Sequence, residues 1–496
     1  MDNMARSAIQ TKYGPVCGIA GKDGTVISYK GIPFAAPPVG NLRFAPPQPP
    51  IPWEAELECD IYRPACIQPV KRSHDGTPPK CCVTSEDCLY LNVWAPADAQ
   101  GKNLPVMMWI YGGGFTTGRA NAPELDGEAL AKRGVILVTC AYRCGPLGFL
   151  ALPELAKRVG TDKPRNLGIL DQTAALEWIR DNIAEFGGDP ANVTIFGQSA
   201  GGMAVRMLLC APPAKGLIKR VIVHSGGGLN EGDPVRPLKE MEEISQKALD
   251  HLGWTVDDLM TRDANEVTNC LLEAGNVATD HKELYVFQPF IDEYSIVDVP
   301  GRLIKEGKFP EDVSLMCGTV SGDSWMFSRK ARRQLGGDND YLRAFAYSPT
   351  VSWGRTQIEN GRAPLYGYFY EHLRPGEKAR RTPDGAAQLL APHSSDIAYV
   401  FGTLNSGSAA TDFAWEEYDY ELSAAMGDYW TNFAKTGDPN GENLPVWTPM
   451  TQDSPKVMNF RDDGWGMKDV VDHPKAEHVI QFTCDHPGML ENLDNF

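Results

Sequence analysis

No run of apolar residues in the chain is long enough to span a bilayer, and Met1-Asp2-Asn3-Met4-Ala5-Arg6-Ser7 lacks the apolar core of an export signal. The chain as written is therefore expected to be soluble and cytoplasmic, with a secreted parent trimmed of its signal as the alternative. Positive charge is scarce: 47 Lys and Arg stand against 64 Asp and Glu, a formal net charge of −17. That balance argues against nucleic acid or an anionic membrane surface as a partner. Internal repeats and low-complexity linkers are missing. Cys81-Cys82 has no second cysteine pair at finger spacing, so a structural metal is not expected. What remains, with 42% apolar and 22% charged residues, is an ordinary globular composition.

One stretch organises the rest. Val193-Thr194-Ile195-Phe196 is a β-rich run that stops at Gly197, and Ser199 stands between Gly197 and Gly201 in a Gly-x-Ser-x-Gly pattern. Ala204, Val205, Met207, Leu208 and Leu209 then form a helix-compatible run. Strand, sharp turn and helix with serine at the apex describe a nucleophile elbow, in which the flanking residues must be small. The amides after the serine would lie at a helix N-terminus, where a developing anion is favoured. The competing reading is an ordinary strand-to-helix turn of a parallel sheet.

Other segments fit around this one. Gly31 to Phe44 holds too many prolines for helix or central strand and reads as a rigid loop. Leu104 to Ile110 is apolar without alternation, as in a strand buried on both faces, and leads into Gly112-Gly113-Gly114. Three glycines there let backbone N–H groups face a ligand, which suits an oxyanion hole; a flexible turn is the alternative. Further strands are expected at 135–140, 221–226, 315–318 and 365–370. Leu176, Ile179, Ile183 and Phe186 mark one stripe of a helix that stops at Gly187-Gly188 and feeds the elbow strand. Strand, helix, strand in this order predicts right-handed crossovers and a parallel sheet. Residues 239–273 look like a helical excursion, and a helix is expected over 422–433. Asn192-Val193-Thr194 matches a glycosylation acceptor but enters the elbow strand, which favours the structural reading.

A serine nucleophile needs a base within reach and an acid to hold that base in the right tautomer. In α/β-hydrolases the three follow one another as serine, acid, histidine, each on a loop after a strand. Asp323 and His393 satisfy both order and placement. Of nine histidines, His372 is the main rival, but Glu371-His372-Leu373-Arg374 reads as a solvated run. His224, at the end of a buried strand, is a candidate buried polar residue near the site. Cys66 and Cys88 bracket a polar loop with Lys71, Arg72, His74 and Asp75; a bridge between them would tether that loop, and two reduced thiols are the alternative.

These segments together resemble the type-B carboxylesterase/lipase family, which includes the cholinesterases. The likeness runs from about Gly14 to Trp447. It rests on the Gly31 to Phe44 loop, Glu86 to Asn92, Gly112 to Phe115, Tyr142 to Phe149, Phe196 to Gly202 and Phe433 to Pro439. It implies an α/β-hydrolase fold, a large, mostly parallel central sheet flanked by helices. A single domain over 1–496 is expected, with helical excursions near 239–275 and a short lid-like segment near 327–362. It further implies Ser199 as nucleophile, His393 as general base and acid, Asp323 as orienting acid, and the N–H groups of Gly113, Gly114 and Ala200 as the oxyanion hole. The implied activity is hydrolysis of small-molecule carboxylic esters through an acyl-enzyme, with no metal or organic cofactor. Thioester, lactone and amide hydrolysis by the same residues are the alternatives within catalysis. A neuroligin-like binding protein is the non-catalytic one. Composition sets no oligomeric state.

The chain departs from the family at several positions. Tyr111 stands where histidine is usual before the glycines, and Ala141 where asparagine is usual before Tyr142-Arg143. Asp323 replaces the commoner glutamate and is a methylene shorter, so the His393 loop must come closer or the hydrogen bond must lengthen. Gln198 replaces the glutamate that precedes serine in cholinesterase-like members. Tyr111, Phe115, Gln198, Tyr285, Phe287 and Trp325 are the candidate substrate-pocket residues, each with plain core packing as its alternative.

Overall fold

The computed structural model of the chain describes residues 6–69, 83–229, 235–280, 285–323, 339–377, 390–451, 455–470 and 474–486. Among them, thirteen strands join one sheet. Its central, parallel part runs in the spatial order Ile136–Cys140, Leu104–Ile110, Gly188–Gln198, Arg220–His224, Ser314–Val320, Tyr366–Tyr370 and Lys456–Arg461. Antiparallel strands flank it on one side, where Tyr90–Pro96 pairs with Ile136–Cys140, and on the other, where Gly464–Asp469 pairs with Lys456–Arg461. The expected α/β-hydrolase architecture is present, and its parallel strands all end at one edge. In open α/β sheets that carboxyl edge is where ligands bind.

Burial explains the sequence pattern. Val106, Met107, Met108, Trp109 and Ile110 are all essentially inaccessible, as helices cover both faces of that strand. At the sheet margin, Arg6–Gln10 alternates between exposed and half-buried residues instead. The Leu167–Asn182 helix, continued by a tighter turn over Ile183–Phe186, ends at Gly187 with φ 84° and delivers the chain into the elbow strand. In the 239–273 region, helices span Leu238–Leu252, Val256–Thr261 and Ala264–Ala278, the first packed on the third. Thr255 and Asp258 form a capping box, and the Asp263 carboxylate caps the next helix. No helix among the described residues is long and apolar enough to cross a membrane.

Two ion pairs account for family motifs that the chemistry does not use. Arg43, from the proline-rich loop, binds Glu86 through Nε at 2.5 Å and Nη2 at 2.9 Å and also donates to the carbonyls of Leu259 and Arg262. Buried Arg143 holds buried Asp171 in a fork at 2.8 and 2.9 Å and donates to the carbonyls of Arg43 and Ala45. These fork-shaped, charge-assisted contacts fasten the loops to the sheet.

The structure bears on other expectations. Of the lid-like segment 327–362, residues 327–338 lie outside the described residues, and Asn339–Glu359 is a helix that buries Val351 and Trp353 completely against the sheet and the Pro474–Asp485 helix. Cys66 and Cys88 are free, buried thiols. Burial, and then the neighbouring Cys88 thiol, push the Cys66 pKa well up. Cys81, Cys82, Lys71, Arg72, His74 and Asp75 lie outside the described residues. Asn192 accepts a hydrogen bond from Arg220, and Thr194 is fully buried, which accounts for the acceptor motif as structure.

Candidate active site

The elbow strand lies between Leu104–Ile110 and Arg220–His224, so its end, Ser199, is flanked by the loops that follow both. Ser199 adopts φ 58°, ψ −128°, a strained conformation for a residue with a side chain, and its N–H donates to the His224 carbonyl at 3.0 Å. The glycines are dictated by contact. A Cβ on Gly201 would stand 2.0 Å from the Ile110 carbonyl oxygen, and one on Gly197 would stand 2.6 Å from the Gly201 carbonyl carbon. The helix Ala200–Cys210 starts directly after the serine. Of the eight described non-glycine residues with positive φ, four (Phe115, Ser199, Ser225 and Ser394) sit in loops at this sheet edge. Strain collected in one place marks a site whose geometry the surrounding fold enforces.

His393 Nδ1 lies 2.6 Å from Asp323 Oδ1. Asp323 is 1% exposed, and its Oδ2 accepts from Thr319 Oγ1 and from the Val320 N–H. The shorter acid reaches because the loops are drawn together: Gly322 N–H donates to the Ala391 carbonyl at 2.9 Å, and Ala391 N–H to Ser321 Oγ at 2.8 Å. The other imidazole nitrogen, Nε2, lies 2.9 Å from the Gln198 side-chain nitrogen. No hydrogen bond joins Ser199 Oγ to His393 among the described residues; in unliganded sites such contacts often tighten only with substrate bound.

The glycine loop runs alongside the elbow, since a Cβ on Gly112 would come 2.9 Å from Ser199 Cβ. Gly113 and Gly114 have φ of 116° and 61°, which turns successive amides. Among the described residues, the N–H groups of Gly113, Gly114 and Ala200 donate to no other protein group, leaving three donors beside the serine.

Two histidines do other work. His224 Nδ1 faces buried Asp396 Oδ2 at 3.0 Å, and Trp430 Nε1 donates to His224 Nε2 at 2.8 Å. Tyr368 also donates to Asp396, three residues beyond His393, so this network ties the histidine loop to the strand beneath the elbow. His372 is not solvated, as its sequence neighbours suggested. It is 6% exposed, with Nδ1 2.8 Å from Asp462 Oδ1 and Nε2 2.7 Å from Asp419 Oδ1. It lies away from Ser199's partners and ties the end of the Tyr366–Tyr370 strand to the Glu417–Thr436 helix and to the turn between the last two strands.

A cavity of about 560 Å³ opens beside His393, Gln198 and the Gly112-Gly113 turn. Of the expected pocket residues, Gln198 and Tyr111 line it. Tyr111 is mainly a core residue: its ring stacks on Tyr142 at 4.3 Å, each hydroxyl donates to the other's carbonyl at 3.0 Å, and burial drives its pKa well up. Tyr285 packs its ring against Gly114, where a Cβ would come within 2.7 Å. Phe115 and Phe287 are both buried and neither lines this cavity, Phe115 packing edge-on to Phe149 and Phe287 against Gly275, which is their core-packing alternative. Trp325 lies outside the described residues. The sequence reading missed Gln68, Arg119, Glu124 and Arg374 in the cavity wall, because they come from loops and a single short helical turn, Pro123–Leu125, with no local pattern to single them out.

Comparison with known proteins agrees with this geometry. The family model described as the carboxylesterase family matches residues 5–347 and 339–479. Fumonisin B1 esterase of Sphingopyxis macrogoltabida is 33% identical over 91% of this chain and 85% of its own length. Para-nitrobenzyl esterase of Bacillus subtilis is 32% identical over 91% of this chain and 94% of its own. Acetylcholinesterase of Bungarus fasciatus is 31% identical over 98% and 88%. Among solved structures, a thermophilic PNB esterase superposes with a TM-score of 0.80 at 30% identity, covering 96% of this chain and all of that one. With sequence, fold and likeness to solved esterases in agreement over nearly its whole length, the chain belongs to the carboxylesterase family.

Proposed function

We propose that the chain is a serine carboxylesterase in which Ser199 is the nucleophile, His393 the general base and acid, and Asp323 the residue that orients and charges against His393. Ser199 Oγ attacks the ester carbonyl while His393 Nε2 takes its proton. Asp323 keeps the Nδ1–H tautomer and stabilises the imidazolium that forms. The N–H groups of Gly113, Gly114 and Ala200 receive the developing oxyanion, each worth on the order of 3 kcal/mol in the transition state. His393 then protonates the leaving alcohol and activates the water that releases the acid. The observation that carries the reading is the 2.6 Å contact between His393 and buried Asp323, delivered to the sheet edge where strained Ser199 stands. Small esters such as p-nitrobenzyl and p-nitrophenyl esters are the proposed test substrates.

Ser199→Ala and His393→Ala are expected to abolish p-nitrophenyl ester hydrolysis with the melting temperature unchanged; a His393→Ala enzyme that still turned over at the wild-type rate would contradict the assignment. For the compartment we propose the cytoplasm, on the ground that Cys66 and Cys88 are buried and not bridged to one another, the state a reducing compartment maintains. Thiol counting on the freshly isolated protein checks it: a Cys66–Cys88 disulfide would place the chain in an oxidising compartment.

A further inference from the structure

Asp323 holds His393 by one edge only. A single hydrogen bond from Nδ1 leaves the ring free to turn about that bond, and any such turn swings Nε2 away from the serine. A second restraint, from a different direction, is needed to fix the ring plane. Gln198 stands where it can supply one: its side-chain nitrogen is 2.9 Å from His393 Nε2 and 3.5 Å from Nδ1. An amide nitrogen lying in the ring plane on the Nε2 lone-pair axis would be much farther from Nδ1 than from Nε2. Nearly equal distances put it over the ring face. The Nε2 lone pair, which must take the serine proton, is thereby left uncommitted. An N–H resting on an aromatic face is a weak attraction, so its value here is positional.

Gln198 is well placed for this. It is 3% exposed and ends the elbow strand, where it pairs in register with His224. Its carbonyl and side-chain oxygen lie against Gly112, so glycine loop and elbow enclose it. The residue next to the nucleophile is thus fixed by the same turn that fixes the nucleophile.

We infer that Gln198 is a positioning residue: its flat carboxamide clamps the face of the His393 ring while Asp323 holds its edge, and the two together aim Nε2 at Ser199 and the leaving group. This rests on the proposed role of His393 as base. A displacement on the ångström scale at a reacting group can cost up to about a hundredfold in rate, and loss of one of two restraints should cost about tenfold.

The test is steady-state hydrolysis of a p-nitrophenyl ester by the full chain, with Ser199 labelling by a fluorophosphonate as a separate check. Gln198→Ala is expected to lower kcat about tenfold with KM changed by less than about twofold, since the clamp acts on the chemical step and not on uniform binding. Gln198→Glu, which restores a flat end group of the same length, is expected to recover kcat to within about threefold of wild type at the pH optimum. Should Gln198→Ala lower the melting temperature, Gln198→Leu, which keeps the bulk without the flat group, takes its place with the same expected loss. Wild-type kcat in the alanine or leucine variant, or an equal loss in the glutamate variant, would overturn the inference. Failure of the wild-type protein to label at Ser199 would instead overturn the esterase reading beneath it.

Discussion

Replacing Asp323 by glutamate, the acid commoner at this position in the family, is expected to damage the enzyme. The carboxylate of Asp323 is 1% exposed and both oxygens are committed, Oδ1 to His393 at 2.6 Å and Oδ2 to Thr319 and Val320. The loops on either side cannot retreat freely, because Gly322 to Ala391 and Ala391 to Ser321 hydrogen bonds of 2.9 and 2.8 Å pin them together. One added methylene lengthens the side chain by about 1.5 Å, a C–C bond length, and there is no slack to take it up. Overpacking of this kind costs about 1–3 kcal/mol of stability. Whichever way the strain is shared, the imidazole moves by a good fraction of an ångström, and kcat/KM should fall by about a hundredfold. The assay is kcat and KM for a p-nitrophenyl ester beside a thermal melt, with Asp323→Asn as a size-matched control that keeps the fit but loses the charge. A glutamate variant with wild-type kcat/KM would show that the loop spacing does not select aspartate, and the reasoning would fail.

Three more expectations follow from packing and ionisation. His372→Ala should lower stability by about 1–3 kcal/mol, since Asp419 and Asp462 lose their shared partner, while kcat per folded molecule stays at the wild-type value; a dead but fully folded variant would make His372 the base instead. Gly201→Ala puts a Cβ 2.0 Å from the Ile110 carbonyl and should abolish soluble, labelable protein, so normal yield and activity would contradict the close-approach account of the elbow. Alkali should destabilise the fold from about pH 9. Burial raises the Cys59 and Cys140 thiols from 9.0 to about 12 and Cys317 to about 11. Below pH 9 both folded and unfolded states hold these protons. As pH rises through the 9-to-12 window the unfolded chain loses them first, so stability falls by roughly 1.4 kcal/mol per pH unit for each such thiol. Urea midpoints at pH 8 and pH 10 measure it, and equal midpoints would refute it.

The elbow and the parallel strands were legible because each leaves a local mark, glycines at contact distance and β-branched runs, and the proposed triad was singled out by chain order along a parallel sheet. The shorter Asp323 left two outcomes open, a closer approach of the His393 loop or a longer hydrogen bond, and the contact of 2.6 Å is the former. What stayed hidden depends on residues distant in sequence. His372 looked solvated from its charged neighbours, yet Asp419 and Asp462 arrive from 47 and 90 residues away to bury it. Phe115 and Phe287 are aromatics beside functional segments, and nothing local says that they turn into the core. Gln198 lines the pocket as its place beside the serine suggested, but only the fold shows that its amide also rests on the histidine ring.

The most direct test of the whole account is mass spectrometry of the protein after reaction with a fluorophosphonate. One adduct per chain on Ser199, formed by the wild type and lost in His393→Ala, is the predicted result. No adduct, or an adduct on another residue, would contradict it.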